Sequence, residues 1–175
     1  MDFYVAATLR NEVAGIPLGA PPEAWEEGLG DDFLDDIQRS YMRRDYGLIE
    51  IAFIKRAGLW ESVSTSLQIH RLAHGIDGVV PLSLARSYGD FSRHVGFDTF
   101  RTALQAQGGA LEEVDDLSMG GFNHFREATA RSSVYVVKEP PHDGLEPDVL
   151  WSIVKPWARP AGPPSAPSHA ARGGR

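Results

Sequence analysis

The stretch Tyr46-Gly47-Leu48-Ile49-Glu50-Ile51-Ala52-Phe53-Ile54-Lys55, followed by Arg56-Ala57-Gly58-Leu59 and then Trp60-Glu61-Ser62-Val63-Ser64-Thr65-Ser66-Leu67-Gln68-Ile69-His70-Arg71-Leu72, decides the fold class. In its second run Val63, Thr65, Leu67 and Ile69 alternate with Ser62, Ser64, Ser66, Gln68 and His70. Successive side chains of a strand point to opposite faces, so a two-residue period predicts one apolar face and one polar face. Ile49, Ile51 and Phe53 alternate in the same way with Leu48, Glu50 and Ala52. The glycine in the short connection suits a tight turn, and an antiparallel hairpin over 46–72 follows.

On the N-terminal side, Pro21-Pro22 precede Glu23-Ala24-Trp25-Glu26-Glu27-Gly28-Leu29-Gly30. Proline at a helix start, an acid in the first turn, Trp25 and Leu29 four residues apart and a terminal glycine predict a short helix over about 21–29, lying on one face of the hairpin. On the C-terminal side, Pro81–Tyr88 suggests a helical turn. Phe97, Phe100 and Leu104 are spaced for a helix from Asp98, placed to cap, to Gln107. Strand-like runs then cover Leu111–Leu117, Phe125–Lys138 and Val149–Val154. Helix then strands, given twice, predicts an α+β fold: an antiparallel sheet with short helices packed on one face, either as a tandem repeat of two such units or as one irregular α+β domain. The units would span 1–80 and 81–155. Residues 156–175 carry five prolines and a single large apolar residue, Trp157. Such a segment buries too little apolar area to offset its ordering entropy, and a disordered tail is expected.

Charge and composition narrow the function. Residues 1–154 hold 13 of the 17 bases and all 24 acids, a net of −11. A body of this charge repels phosphate backbones and attracts cationic surfaces, so a basic protein is the expected partner and nucleic acid is not. Without cysteine, thiolate metal sites, disulfides and cysteine nucleophiles are excluded, and a reducing, cytoplasmic setting fits best. The N-terminus lacks the basic start of a signal peptide, and no stretch approaches the apolar length of a membrane-spanning helix. Monomer and homodimer are both left open.

Each catalytic pattern lacks a part. His70 and His74 have the spacing of a zinc-protease pair, but Arg71 stands where its glutamate belongs. Ser87 and Ser118 lack the strand-to-helix setting of a nucleophile elbow. Asp45, Glu50 and Lys55 resemble a metal-nuclease set, except that Ala52 stands two residues after the acid where the lysine is needed. The aspartates at 31–36 lack the alternation and central glycine of a calcium loop, and no phosphate-cradling glycine motif occurs. Neither a metal nor a cofactor is expected.

Two surfaces suit protein binding. Glu23, Glu26, Glu27, Asp31, Asp32, Asp35 and Asp36 form a run of acids with no base among them. Charge runs ordinarily just face water, but clustered carboxylates also speed encounter with basic partners. The polar strand face with Ser64, Ser66, Gln68 and His70 is solvent-facing surface or a recognition surface.

The succession GIPLGAPPEAWEEGLG at 15–30, RRDYGLIEIAFIKR at 43–56, STSLQIHRL at 64–72 and LWSIV at 150–154 resembles small bacterial proteins that lie beside secreted toxins and are taken to be immunity proteins. The order of elements is also similar to the tandem arrangement of β-lactamase-inhibitor-like folds. The resemblance implies an inhibitor that binds a toxin domain and does no chemistry of its own. It supplies no site motif to carry over, and the Pro-rich tail departs from it. The readings of other classes are a small hydrolase using Asp45, Glu50 and His70, and a regulatory domain whose tail recruits a partner.

Overall fold

The computed structural model describes residues 1–115, 120–139 and 142–155. In chain order its elements are α1 (Asp2–Leu9), β1 (Glu12–Val13), β2 (Ile16–Pro17), α2 (Pro22–Leu29), β3 (Leu34–Ile37), β4 (Tyr41–Asp45), β5 (Ile49–Arg56), β6 (Leu59–Leu67), a 3-10 helix (Ile69–His74), α3 (Leu82–Tyr88), α4 (Phe97–Ala106), β7 (Leu111–Val114), β8 (Phe122–Glu127), β9 (Ser133–Val137) and β10 (Leu150–Val154).

The hairpin of β5 and β6 is present. Its two-residue loop, Ala57-Gly58, has positive φ at both positions (49° and 86°), the backbone twist that matches two antiparallel strands. From this hairpin the strands extend into one eight-stranded antiparallel sheet in the order β3-β4-β5-β6-β10-β9-β8-β7. Residues 34–67 supply one up-and-down run of four strands and residues 111–154 supply the other. The two runs meet where β10 pairs with β6, through Ile153 opposite Leu67 and Val154 opposite Ser66. The fold is α+β, with its helices against the sheet.

One face of the sheet carries the core. Ile49, Ile51, Phe53, Leu67, Val134, Val136 and Ile153 are buried together with Trp25 and Leu29 of α2 and Phe100 and Leu104 of α4. Burying apolar side chains at about 25 cal/mol per Å² makes this layer the main stabilising term. Helix α1 adds Phe3, Tyr4, Val5 and Ala7 to the same core. It was not foreseen, because it is buried on nearly every side and so shows no helical stripe.

Several expectations change. Tyr46 lies in the turn between β4 and β5, and the second strand of the hairpin stops at Leu67, so Ile69 and His70 belong to the 3-10 helix. The alternation also breaks at Val63. The register shifts there so that Phe53 faces Ser62, which puts Ser62 on the core side. The shift lets Gly19 and Ala20 run alongside: the Gly19 N–H donates to the Ser62 carbonyl at 2.8 Å, and the Ser62 N–H donates to Ala20 O at 3.0 Å. The run 125–138 is two strands rather than one. Asp98 pairs with Arg101 at 2.7 Å instead of capping α4, whose N-cap is Gly96. Trp60, Trp151 and Tyr135 are half-buried, and Tyr135 is stacked on His124. Ser118 and the proposed tail at 156–175 lie outside the described residues.

Candidate functional site

The acidic run folds into a corner made by α2 and β3. Trp25 and Leu29 turn inward and are buried, which leaves Glu23, Glu26 and Glu27 facing out. Glu26 and Glu27 sit in the last turn of α2, where the helix dipole disfavours negative charge, and no base lies in that turn. Together with Gly30 and Asp31 the three glutamates line an open concavity of about 510 Å³.

Arg44 holds the corner together. It projects from β4 and is 6 % exposed. Its Nε and Nη2 donate to the two carboxylate oxygens of Asp35 at 2.8 and 2.9 Å, and its Nη1 donates to Pro22 O at 3.2 Å. Glu26 lies 3.6 Å from Nη1, and the guanidinium stands 3.6 Å over the Phe33 ring. The acids therefore divide. Asp35 and Glu26 are partners of a buried cation, whereas Glu23, Glu27, Asp31, Asp32 and Asp36 are exposed and have no ion pair among the described residues. Beside them Leu34 is 78 % and Ile37 is 63 % exposed, both on β3 at the end of the sheet.

The polar face of β6 is largely occupied by the protein itself. Ser64 Oγ donates to Lys155 O at 2.9 Å, and Gln68 Nε2 donates to Ser66 Oγ at 3.2 Å. The Ser64 bond extends the short seam between β6 and β10, as does the Lys155 N–H donating to Thr65 O at 2.8 Å, whereas the Gln68 bond stays within its own segment. His70 stacks on Trp151, with ring centroids 3.9 Å apart and planes 4° from parallel. Burial, helped by the nearby Arg71 charge, lowers its pKa from the ordinary imidazole value.

Asp45, Glu50 and His70 do not converge. Arg71 takes both carboxylates, donating to Asp45 at 2.8 and 3.0 Å and to Glu50, and it also donates to Gly47 O at 2.7 Å. His74 pairs instead with Asp143 at 3.3 Å. Among the described residues no group of three or more metal-type ligands comes together.

Sequence reasoning passed over two further features. Lys155 is 1 % exposed, and its Nζ donates to Ser132 Oγ at 2.9 Å and to Thr8 O at 3.3 Å. Ser132 Oγ in turn donates to Thr8 O at 2.7 Å. Burial pulls the Lys155 pKa down to about 8, and Glu127 opposes that shift. A serine beside a lysine is a nucleophile–base arrangement, but here both groups are sealed from solvent and fasten the end of β10 to α1. The second feature is a concavity of about 450 Å³ between the start of α1 and the α3–α4 connection, walled by Phe3, Tyr4, Tyr88 and Phe91. Neither followed any spacing pattern, since each joins segments far apart in the chain.

No protein-family model matches the chain, no curated protein matches it in sequence, and no solved structure matches its fold.

Proposed function

We propose that this protein is a non-catalytic binding module for a partner with a basic surface, an immunity-type inhibitor acting in the bacterial cytoplasm on a basic toxin domain. One observation carries the reading. At the α2–β3 corner, Glu23, Glu27, Asp31, Asp32 and Asp36 are exposed and form no ion pair among the described residues, next to the exposed apolar side chains of Leu34 and Ile37. Unpaired carboxylates steer a cationic partner into place, and desolvated apolar groups then supply affinity. Glu27, in the last turn of α2 and without an ion pair among the described residues, opposes the helix dipole, a placement that serves a partner better than it serves the helix.

The test is co-expression with toxin genes encoded beside this one in the source bacterium. Rescue of growth, and loss of that rescue in a variant carrying Glu23→Lys, Glu27→Lys, Asp31→Lys and Asp32→Lys, supports the reading. If no neighbouring gene product is neutralised and no partner is recovered by affinity capture from that bacterium, the proposal is wrong.

A further inference from the structure

Among the described residues, strand β3 ends the sheet and pairs only with β4. Its backbone polarity follows from the register. Gln38 N–H donates to Tyr41 O at 2.8 Å, which makes 38 and 41 a hydrogen-bonded pair. Antiparallel pairs alternate, so Asp36 opposite Arg43 and Leu34 opposite Asp45 also exchange bonds with β4. Asp35 and Ile37 therefore direct their N–H and C=O groups away from the sheet. All four residues of β3 are exposed. An open edge with two exposed aliphatic side chains is a template for another strand, which proteins ordinarily blunt.

Acids restrict what can use that template. The order along β3 is Leu34-Asp35-Asp36-Ile37, apolar–acid–acid–apolar. Strand β7 at the opposite edge repeats the order as Leu111-Glu112-Glu113-Val114. Pairing β3 with the β3 or the β7 of a second copy sets carboxylates against carboxylates, which is destabilising. A strand reading apolar–basic–basic–apolar complements β3 in either direction, because that order is the same from both ends. Asp31, Asp32, Glu23 and Glu27 add to the attraction from the adjoining corner.

We propose that the free edge of β3 receives an extended, basic segment of a partner protein as a ninth strand of the sheet. The proposal rests on the protein-binding reading above and specifies its geometry. Main-chain bonds at Asp35 and Ile37 supply affinity, while Asp36, the acids of the adjoining corner and the two aliphatic side chains select the segment, the Asp35 carboxylate being held by Arg44.

The experiment uses the full chain and an acetylated, amidated synthetic peptide containing Val-Lys-Arg-Ile, with a Val-Glu-Glu-Ile peptide as control. Amide hydrogen exchange in the basic peptide is expected to slow at Asp35 and Ile37, but to change little at Leu34 and Asp36, whose amides already bond to β4. Ile37→Pro loses no bond within the sheet, because its N–H points outward, and it is expected to weaken the peptide by about ten-fold or more. Unchanged exchange at Asp35 and Ile37 in the wild-type chain with peptide bound overturns strand addition. So does equal affinity for Ile37→Pro when lysine substitution of Glu23, Glu27, Asp31 and Asp32 abolishes binding, an outcome that leaves charge-based docking standing.

Discussion

The carboxylate of Asp35 is engaged by the guanidinium of Arg44 through two parallel bonds of 2.8 and 2.9 Å, so one member of an acidic surface run is an internal structural partner. Through its further bond to Pro22 O, Arg44 ties the start of α2 to the edge of the sheet. The position of the exposed acids depends on that tie.

Arg44→Met is therefore expected to lower stability by about 3 kcal/mol, the scale for breaking a buried ion pair. It leaves Asp35 without its cation and uncovers Phe33. Asp36→Ala, on the same strand but exposed and without an ion pair among the described residues, is expected to stay within about 0.5 kcal/mol of wild type. Urea unfolding of both variants measures the difference, and equal effects would show that Arg44 does not hold the corner.

Lys155 gives stability an alkaline rise. Its pKa is about 8 in the fold against the ordinary 10.5, so between those values the unfolded chain binds more protons than the native one. Stability then increases with pH across that window, by about 3 kcal/mol at most. Burial raises the Tyr4 phenol above its ordinary value of 10.0, which reverses the sign above pH 10 as the unfolded phenol ionises first. A maximum near pH 10 is expected in thermal melts. Lys155→Met should remove the rise, since Thr8 O keeps its bond from Ser132.

Gly47 is a position that admits no side chain. It has a φ of +82°, and an added Cβ would stand 2.4 Å from Val79 O, the atom that accepts the Leu48 N–H at 2.6 Å. Gly58 has a similar φ of +86° but open space around it. Gly58→Ala is expected to cost about 1 kcal/mol from backbone strain alone. Gly47→Ala should cost more, because the Leu48–Val79 contact must also move. Comparable denaturation midpoints for the two variants would contradict that.

Much of the framework is legible in the residues. The alternation at Ile49, Ile51 and Phe53, the positive-φ pair at Ala57 and Gly58, and the Trp25–Leu29 stripe are local signals, because strand and helix periods are set by backbone geometry within a few residues. Helix α1 escaped notice for the converse reason: a segment buried on nearly all sides has no polar face to set a period. The shift at Val63 has no local signal either, since the backbone that pairs with Ser62 there, Gly19 and Ala20, comes from more than forty positions away.

The sequence by itself determined an acidic α+β chain whose strands come in two runs, each preceded by a helix, since composition and short-range periodicity are properties of neighbouring residues. Only the tertiary structure decided which charges are free. Arg44 claims Asp35 and Glu26, Arg71 claims Asp45 and Glu50, and Lys155 is buried against Ser132. Each pairing joins residues separated along the chain, and only folding brings them close enough for their electrostatic energies to matter.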